Sequence, residues 1–343
     1  MNRRIPVLAV AAASVSLLGL AAPGASAAPR WPGLPQQVFA PYYETYDTST
    51  DMAAQSQQSG ARFLSLAFLE TAQAGSCTAY WNGDTSTPIA ASSFGSDISA
   101  IQAKGGNVIP SFGGYTADTT STDIADSCTD VSSIAQVYED VITTYNVPRI
   151  DLDVEGTSVS DTAGINRRNE AIAEVEAWAA AHGRSIQFSY TLPTFPTGLP
   201  SAELAVLQNA VADGAVISTV NLETFDYYIG TQQNMLTDTE TAGSALVGQL
   251  QTLYPGDSTA QLWHMVGVTE MPGIDDYGPD ETFTKADAIA LLVWAKIHGV
   301  GTLSFWALQR DNGGCAGTKG ASTCSGITQP PWYFSHVFEL FGL

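Results

Sequence analysis

The sequence predicts an α/β chain, a (β/α)8 TIM barrel of one domain. Three observations lead there. Eight short apolar runs alternate with amphipathic segments from residue 37 to residue 343. Several amphipathic segments end in a cation followed by glycine, as helices do: Lys104-Gly105-Gly106, His182-Gly183 and His298-Gly299. Parallel strands cannot be joined by tight turns, so the alternation calls for crossover helices over a buried sheet. Eight such units favour a closed ring over the alternative, an open doubly wound sheet, and these barrels run to about 250 residues or more as one domain.

Strands are predicted at Val38 to Tyr42, Phe63 to Phe68, Val108 to Phe112, Ile150 to Glu155, Ile186 to Leu192, Val216 to Leu222, Leu262 to Val268 and Thr302 to Trp306. Helices fall between them at Ser96 to Lys104, Val131 to Thr144, Arg167 to His182, Ala202 to Asp213, Ala242 to Tyr254 and Lys285 to His298, and Trp332 to Phe341 closes the chain. The unit between the first two strands is the weakest, because Thr48 to Ser59 is short and polar. The Ser/Thr-rich stretch from Thr116 to Ser127 reads as a surface loop.

The fourth strand carries the chemistry. In Arg149-Ile-Asp-Leu-Asp-Val-Glu-Gly156 the acids Asp151, Asp153 and Glu155 alternate with Ile150, Leu152 and Val154, so a strand places the three carboxylates on one face. Same-face neighbours lie about 7 Å apart. Carboxylates buried at that spacing repel, and at least one should keep its proton to high pH. Three readings compete. The stretch could be a hairpin edge strand with a wet acidic face. It could be a divalent-metal site, although it lacks the glycine and polar interleaving of a calcium loop. Or it could perform acid catalysis, for which a protonated carboxyl beside ionised ones is the equipment. In a barrel the C-terminal strand ends face the active site. Glu155 then stands at the mouth with Asp153 and Asp151 stepping inward, and the wet-edge reading loses most of its weight.

Residues 1–27 read as a secretory leader: Arg3 and Arg4 precede an apolar run from Ile5 to Ala22, and Ala25-Ser-Ala27 is a small-residue cleavage signal. Residues 28–36 form a short N-terminal segment before the catalytic domain at 37–343. The expected product is secreted, extracellular and soluble, since no later apolar run could span a bilayer. Without its leader the chain loses two of its 13 Lys and Arg and none of its 34 Asp and Glu, for a charge of 11 − 34 = −23. Nucleic acid and anionic membranes are excluded as partners by that field, and the ligand should be neutral or cationic. A monomer is expected. In an oxidising compartment the four cysteines should pair. Of three connectivities, Cys77 with Cys128 and Cys315 with Cys324 is favoured, because the last two bracket a short Gly-rich loop. The histidines are scattered singly and no zinc spacing is present; no metal or cofactor is expected.

Asp151 with Leu152-Asp153-Val154-Glu155 resembles the D-x-x-D-x-D-x-E signature of family 18 glycoside hydrolases, the chitinases and their relatives. Ser111-Phe112-Gly113-Gly114 resembles that family's S-x-G-G motif on the third strand, Trp306 its closing tryptophan on strand eight, and Phe39-Ala-Pro-Tyr42 the first strand of a secreted bacterial and archaeal branch with a D-x-D-x-E core. The resemblance runs from Val38 to the end. It implies hydrolysis of β-1,4 linkages in chitin or N-acetylglucosamine oligosaccharides. Glu155 would be the general acid and then the base. Asp153 would orient the 2-acetamido group, whose oxygen attacks the anomeric carbon to give an oxazolinium and retention of configuration, one of the exceptions to the two-carboxylate scheme. Asp151 would hold and tune Asp153. For this chemistry Asp153 should stay ionised while Glu155 is protonated.

Two positions depart from the family pattern. Pro148 stands where the signature has its first Asp. Glu223-Thr-Phe225-Asp226 occupies the place of M-x-Y-D, so Phe225 lacks the family tyrosine's hydroxyl, and Tyr227 or Tyr190 is expected to supply one. Asp226 matches the motif as a substrate ligand, and Glu223 adds a carboxylate near the acid that could shift the pH optimum or the sugar preference. Tyr42, Phe68 and Trp306 end strands and should ring the mouth as stacking platforms, with Ser111, Gly113 and Gly114 also placed at the substrate. Tyr80, Trp81, Tyr115 and Tyr277 could extend the cleft or cap the core, while Trp178, Trp263 and Trp294 read as core. Two alternatives remain: an endo-β-N-acetylglucosaminidase acting on N-glycans or related chains, and a silent chitin-binding lectin, which typically loses the acid.

Overall fold

The structure, a computed structural model, describes residues 33–342. The expected leader and its cleavage point lie outside the described residues. Eight parallel strands form the barrel. The first, β1, is broken by Ala40 and Pro41 into Val38–Phe39 and Tyr42–Glu44. The others are β2 (Phe63–Thr71), β3 (Asn107–Gly113), β4 (Arg149–Asp153), β5 (Gln187–Pro193), β6 (Ile217–Glu223), β7 (Val266–Glu270) and β8 (Thr302–Phe305). Each pairs with the next in order, and the broken strand closes the ring: its first piece pairs with β8 at Val38 and Thr302, its second with β2 at Tyr42 and Ser65.

A helix follows each strand: α1 (Met52–Ser59), α2 (Gly95–Ala103), α3 (Val131–Tyr145), α4 (Thr162–Ala181), α5 (Ser201–Asp213), α6 (Met235–Leu253), α7 (Lys285–His298) and α8 (Tyr333–Phe338). The weak first unit does form a helix, because Asp51 caps it by accepting the Ala54 N–H and Gly60 ends it in the left-handed region. Cation and glycine end α7 as expected, at His298 and Gly299. Main-core packing lies between sheet and helices: Ile150, Leu152 and Val154 on the outer face of β4 are fully buried in it with Tyr138, Val141 and Ile172. Burying each such aliphatic contributes about 1.5–3 kcal/mol.

Three expectations need correction. Leu262 to Met265 are not strand; they end a helix, Thr259–Met265, nucleated by a Ser258/Gln261 capping box, and β7 starts at Val266. The α6 helix starts at Met235 rather than Ala242, capped by Asn234. The Thr116 to Ser127 stretch is not a surface loop. It folds into two short helices, Tyr115–Thr120 and Ile124–Ser127, that bury Asp118, Asp123, Ile124 and Ala125. Cys77–Cys128 and Cys315–Cys324 are the disulfides, as favoured from the sequence. Among the described residues, no helix is long and apolar enough to cross a membrane.

Candidate active site

The inner face of β4 climbs the barrel axis as Arg149, Asp151 and Asp153, with Glu155 two residues past the strand end. At the bottom the buried Arg149 guanidinium donates to Gln187 Oε1 at 2.9 and 3.1 Å and to Thr302 Oγ1 at 3.2 Å. Burial lowers its pKa to about 10, which still leaves a full positive charge at neutral pH. One step up, sheet register sets Asp151 between Ser111 of β3 and Ser189 of β5. Its carboxylate accepts from Ser189 at 2.6 Å, Ser111 at 2.7 Å, Tyr42 at 2.8 Å and Thr191 at 3.0 Å. Burial raises the Asp151 pKa, and these four hydroxyls oppose that rise. Asn221 extends the belt, donating to Thr191 Oγ1 at 3.0 Å and Thr269 Oγ1 at 2.6 Å.

Above this layer the donors run out. Asp153, Glu155 and Glu223, the last residue of β6, each place a carboxylate oxygen within 4.8 Å of the others. Asp153 is buried, and among the described residues its Oδ1 has no hydrogen-bond partner. Its pKa is pushed well above the carboxylate range, by burial first and then by the charges of Glu223, Glu155, Asp151 and Asp118. Glu223 is pushed up the same way, by burial and then by Glu155. Burial raises Glu155 to about 7, opposed by the Tyr115 N–H. Three carboxylates this close cannot all ionise, so the group holds protons in common and titrates as a unit. Asp153, Glu223 and Glu155 thus compete for the same protons.

These acids open into a cleft of about 800 Å3 whose walls include Tyr42, Phe68, Tyr115, Phe225, Tyr228 and Trp306. Phe68 and Trp306 lie stacked, ring centroids 5.6 Å apart and planes 14° from parallel, and Tyr42 leans on Trp306 at 5.6 Å. Such faces suit the apolar C–H surfaces of pyranose rings. Glu70, Asp226 and Asp276 add further acids to the rim, and among the described residues no Lys, Arg or His lines it.

No family model matches the chain. It is 33% identical over 319 residues to a probable bifunctional chitinase/lysozyme of Escherichia coli, covering 90% of this chain and 35% of that protein. It is 32% identical over 288 residues to endochitinase 11 of Metarhizium anisopliae, covering 81% of this chain and 53% of that one. The chain thus spans between about a third and a half of the length of these curated relatives. Active domain 2 of the chitinase from Pyrococcus furiosus superposes with a TM-score of 0.79 at 27% identity, over 92% of this chain and 97% of that domain. This chain is a homologue of the family 18 chitinases. Its fold is their TIM barrel.

Within this family 18 homologue the expected residues divide. Tyr42, Phe68, Gly113, Asp153, Glu155, Glu223, Asp226 and Trp306 line the cleft. Asp151 and Ser111 lie behind it, hydrogen-bonded to each other. Gly114 does not line it; a side chain there would strike the Phe68 ring, so this glycine serves close packing rather than ligand approach. Neither tyrosine proposed to replace the hydroxyl missing at Phe225 does so. Tyr190, paired with Leu152, faces outward and donates to Asn169 Oδ1 at 2.6 Å. Tyr227 is buried away from the cleft, and its N–H donates to Glu281. Tyr228, 60% exposed, lines the cleft instead. Asp226 reaches the cleft, yet its Oδ1 accepts from the Asp276 and Tyr277 N–H groups at 3.0 and 3.1 Å. Trp81 is core, its Nε1 donating to Tyr145 at 2.9 Å, whereas Tyr115 lines the cleft. Trp178, Trp263 and Trp294 pack partly buried against the main core. Sequence reasoning missed Asp118, Thr191 and Asn221. Thr191 and Asn221 left a signal, each lying in a predicted strand, whereas Asp118 left none.

Proposed function

We propose that this chain is a chitinase that cleaves β-1,4 bonds between N-acetylglucosamine units with Glu155 as general acid and then base. The observation that carries the reading is the placement of Glu155: a carboxyl at the barrel mouth, raised to about 7 by burial, facing a cleft walled by Trp306, Phe68 and Tyr42. A general acid works best with a pKa near the working pH. Support for the substrate comes from the Pyrococcus furiosus domain, 26% identical, whose structure was solved complexed with chito-oligosaccharides.

In the proposed cycle Glu155 gives its proton to the glycosidic oxygen as the C–O bond breaks. Asp153 holds the acetamide N–H, and the acetamide oxygen closes on C1 to form the oxazolinium. Glu155, now a carboxylate, takes a proton from water as that water opens the ring at C1, restoring both the acid and the β-anomer. Asp153 has the free oxygen this needs, since its Oδ1 has no hydrogen-bond partner among the described residues. Incubation with N-acetylglucosamine oligomers, followed by NMR of the first anomer released, tests the reading. β-Anomer is expected; initial α-anomer, or no cleavage, rejects it.

The chitinase/lysozyme relative also favours trial of peptidoglycan, with release of soluble muropeptides as the readout. Export is proposed with the same reading. The two cystines suit an oxidising compartment, and N-terminal sequencing of the expressed protein should begin at Ala28.

A further inference from the structure

We propose that Asp118 is a positioning residue for Glu155. The β4 ladder ends just before the acid: the Val154 N–H donates to Thr191 O of β5 at 3.0 Å, and Glu155 lies beyond the paired strand. Its own N–H is instead accepted by Asp118 Oδ2. Asp118 sits on the short helix Tyr115–Thr120 after β3 and is fully buried. Its carboxylate therefore reaches across from a neighbouring unit of the barrel to fix the backbone from which the acid projects.

That contact belongs to a seam. Thr157 Oγ1 donates to Asp118 O at 2.6 Å, and Ser158 Oγ donates to Asp126 Oδ2. Gly156 packs so closely on Thr119 that a side chain there would meet its methyl. Behind the seam, buried Arg168 pairs with Asp123 at 2.7 Å and Asp126 at 3.4 Å, and the Cys77–Cys128 bond anchors the far end. The segment after β3 is thus held rigidly, and through Asp118 it passes that rigidity to the turn carrying Glu155. A general acid must stand within hydrogen-bond reach of the leaving oxygen, and displacement by about 1 Å can cost about 100-fold in rate.

The inference rests on Glu155 being the acid, so Glu155→Gln is measured beside it. If Glu155→Gln keeps normal turnover, the proposed function falls, whatever Asp118 does. With that role standing, Asp118→Ala should lower kcat about 10- to 100-fold with KM within about twofold. Asp118→Asn, whose amide oxygen can still accept the N–H, should recover kcat to within about threefold of the parent. In the Glu155→Gln background Asp118→Ala should add no further loss, because it acts only through the residue already disabled. A folded Asp118→Ala with kcat within twofold, or a loss that multiplies onto Glu155→Gln, overturns the proposal. Should the alanine variant not fold, Asp118→Asn decides. Near-parental kcat supports the role, and a tenfold loss at unchanged KM and melting temperature overturns it.

Discussion

Two groups of three carboxylates differ in how they meet the cleft: Asp153, Glu155 and Glu223 all line it, whereas of Asp226, Asp275 and Glu281 only Asp226 does. Asp153, Glu155 and Glu223 crowd one another at the ends of β4 and β6, with Asp153 Oδ1 left without a donor among the described residues. Asp226, Asp275 and Glu281 crowd equally. Each of the three, however, accepts through at least one oxygen from the backbone N–H groups of Asp276, Tyr277, Asp226, Gly278 and Tyr227, at 2.7 to 3.1 Å. The second group clasps the loops after β6 and β7. Both groups have raised pKa values: Asp226 to about 8, by burial and then the Asp275 and Asp276 charges, and Glu281 to about 7, by burial and then Asp275. Perturbed titration alone therefore does not mark the reactive site. What separates the two is which carboxylates face the cleft, since among the described residues Glu281 Oε1 is as buried and unpartnered as Asp153 Oδ1.

If that distinction holds, substitutions in the first group should change chemistry, and those in the second should change stability. The largest expected effect is Glu155→Gln, which should lower kcat by about 100- to 10,000-fold while calorimetry still records oligosaccharide binding. Equal loss of turnover from a second-group variant would erase the contrast. Glu281→Ala should destabilise the fold by about 1–3 kcal/mol, because it strips the acceptor from the buried Tyr227 N–H. Its kcat should stay within about threefold.

Stability against pH probes both groups together. The folded chain binds protons on Glu155, Glu281 and Asp226 more tightly than the unfolded chain, whose carboxyls titrate near pH 4. Their contribution is therefore fully present below about pH 4 and is lost as pH rises through about 7 and then 8. A melting temperature that climbs over this range would contradict the shared protons. Activity should fall on the alkaline side as Glu155 gives up its proton near pH 7. The smallest effect expected is that of Glu223→Gln. Removing one anion lets Asp153 ionise more easily, so the acidic limb of the rate profile should move to lower pH. A limb that moves upward would show that Glu223 is not a charged neighbour of Asp153.

Legibility from sequence followed the range of each interaction. Trp306, Phe68 and Tyr42 all line the cleft, but only Trp306 does so from just past a strand end; Phe68 lies inside β2 and Tyr42 opens the second piece of β1. The hydroxyl belt around Asp151 was not legible, since it joins residues 38 to 109 positions apart in the chain. Tyr190 was misread because the register between β4 and β5 decides which parity of β5 faces inward, and Tyr190 falls beside Leu152. Tyr227 was misread because it follows Asp226, whose φ of +51° breaks the alternation carried over from β6. Asp118 was hidden by its composition: a Ser/Thr-rich stretch looks wet until a buried Arg168 supplies the counter-charge that lets it fold inward.

By itself the sequence determined the eight-unit alternation, the face shared by Asp151, Asp153 and Glu155, and the pairing of Cys315 with Cys324 around a short loop. These follow from local geometry, a period of two along a strand and helices between parallel strands. Only the tertiary structure decided where the protons rest. A carboxylate's charge depends on the donors that reach it, and here those come from β1, β3 and β5 for Asp151 and from the Tyr115 N–H for Glu155, brought together by closure of the barrel.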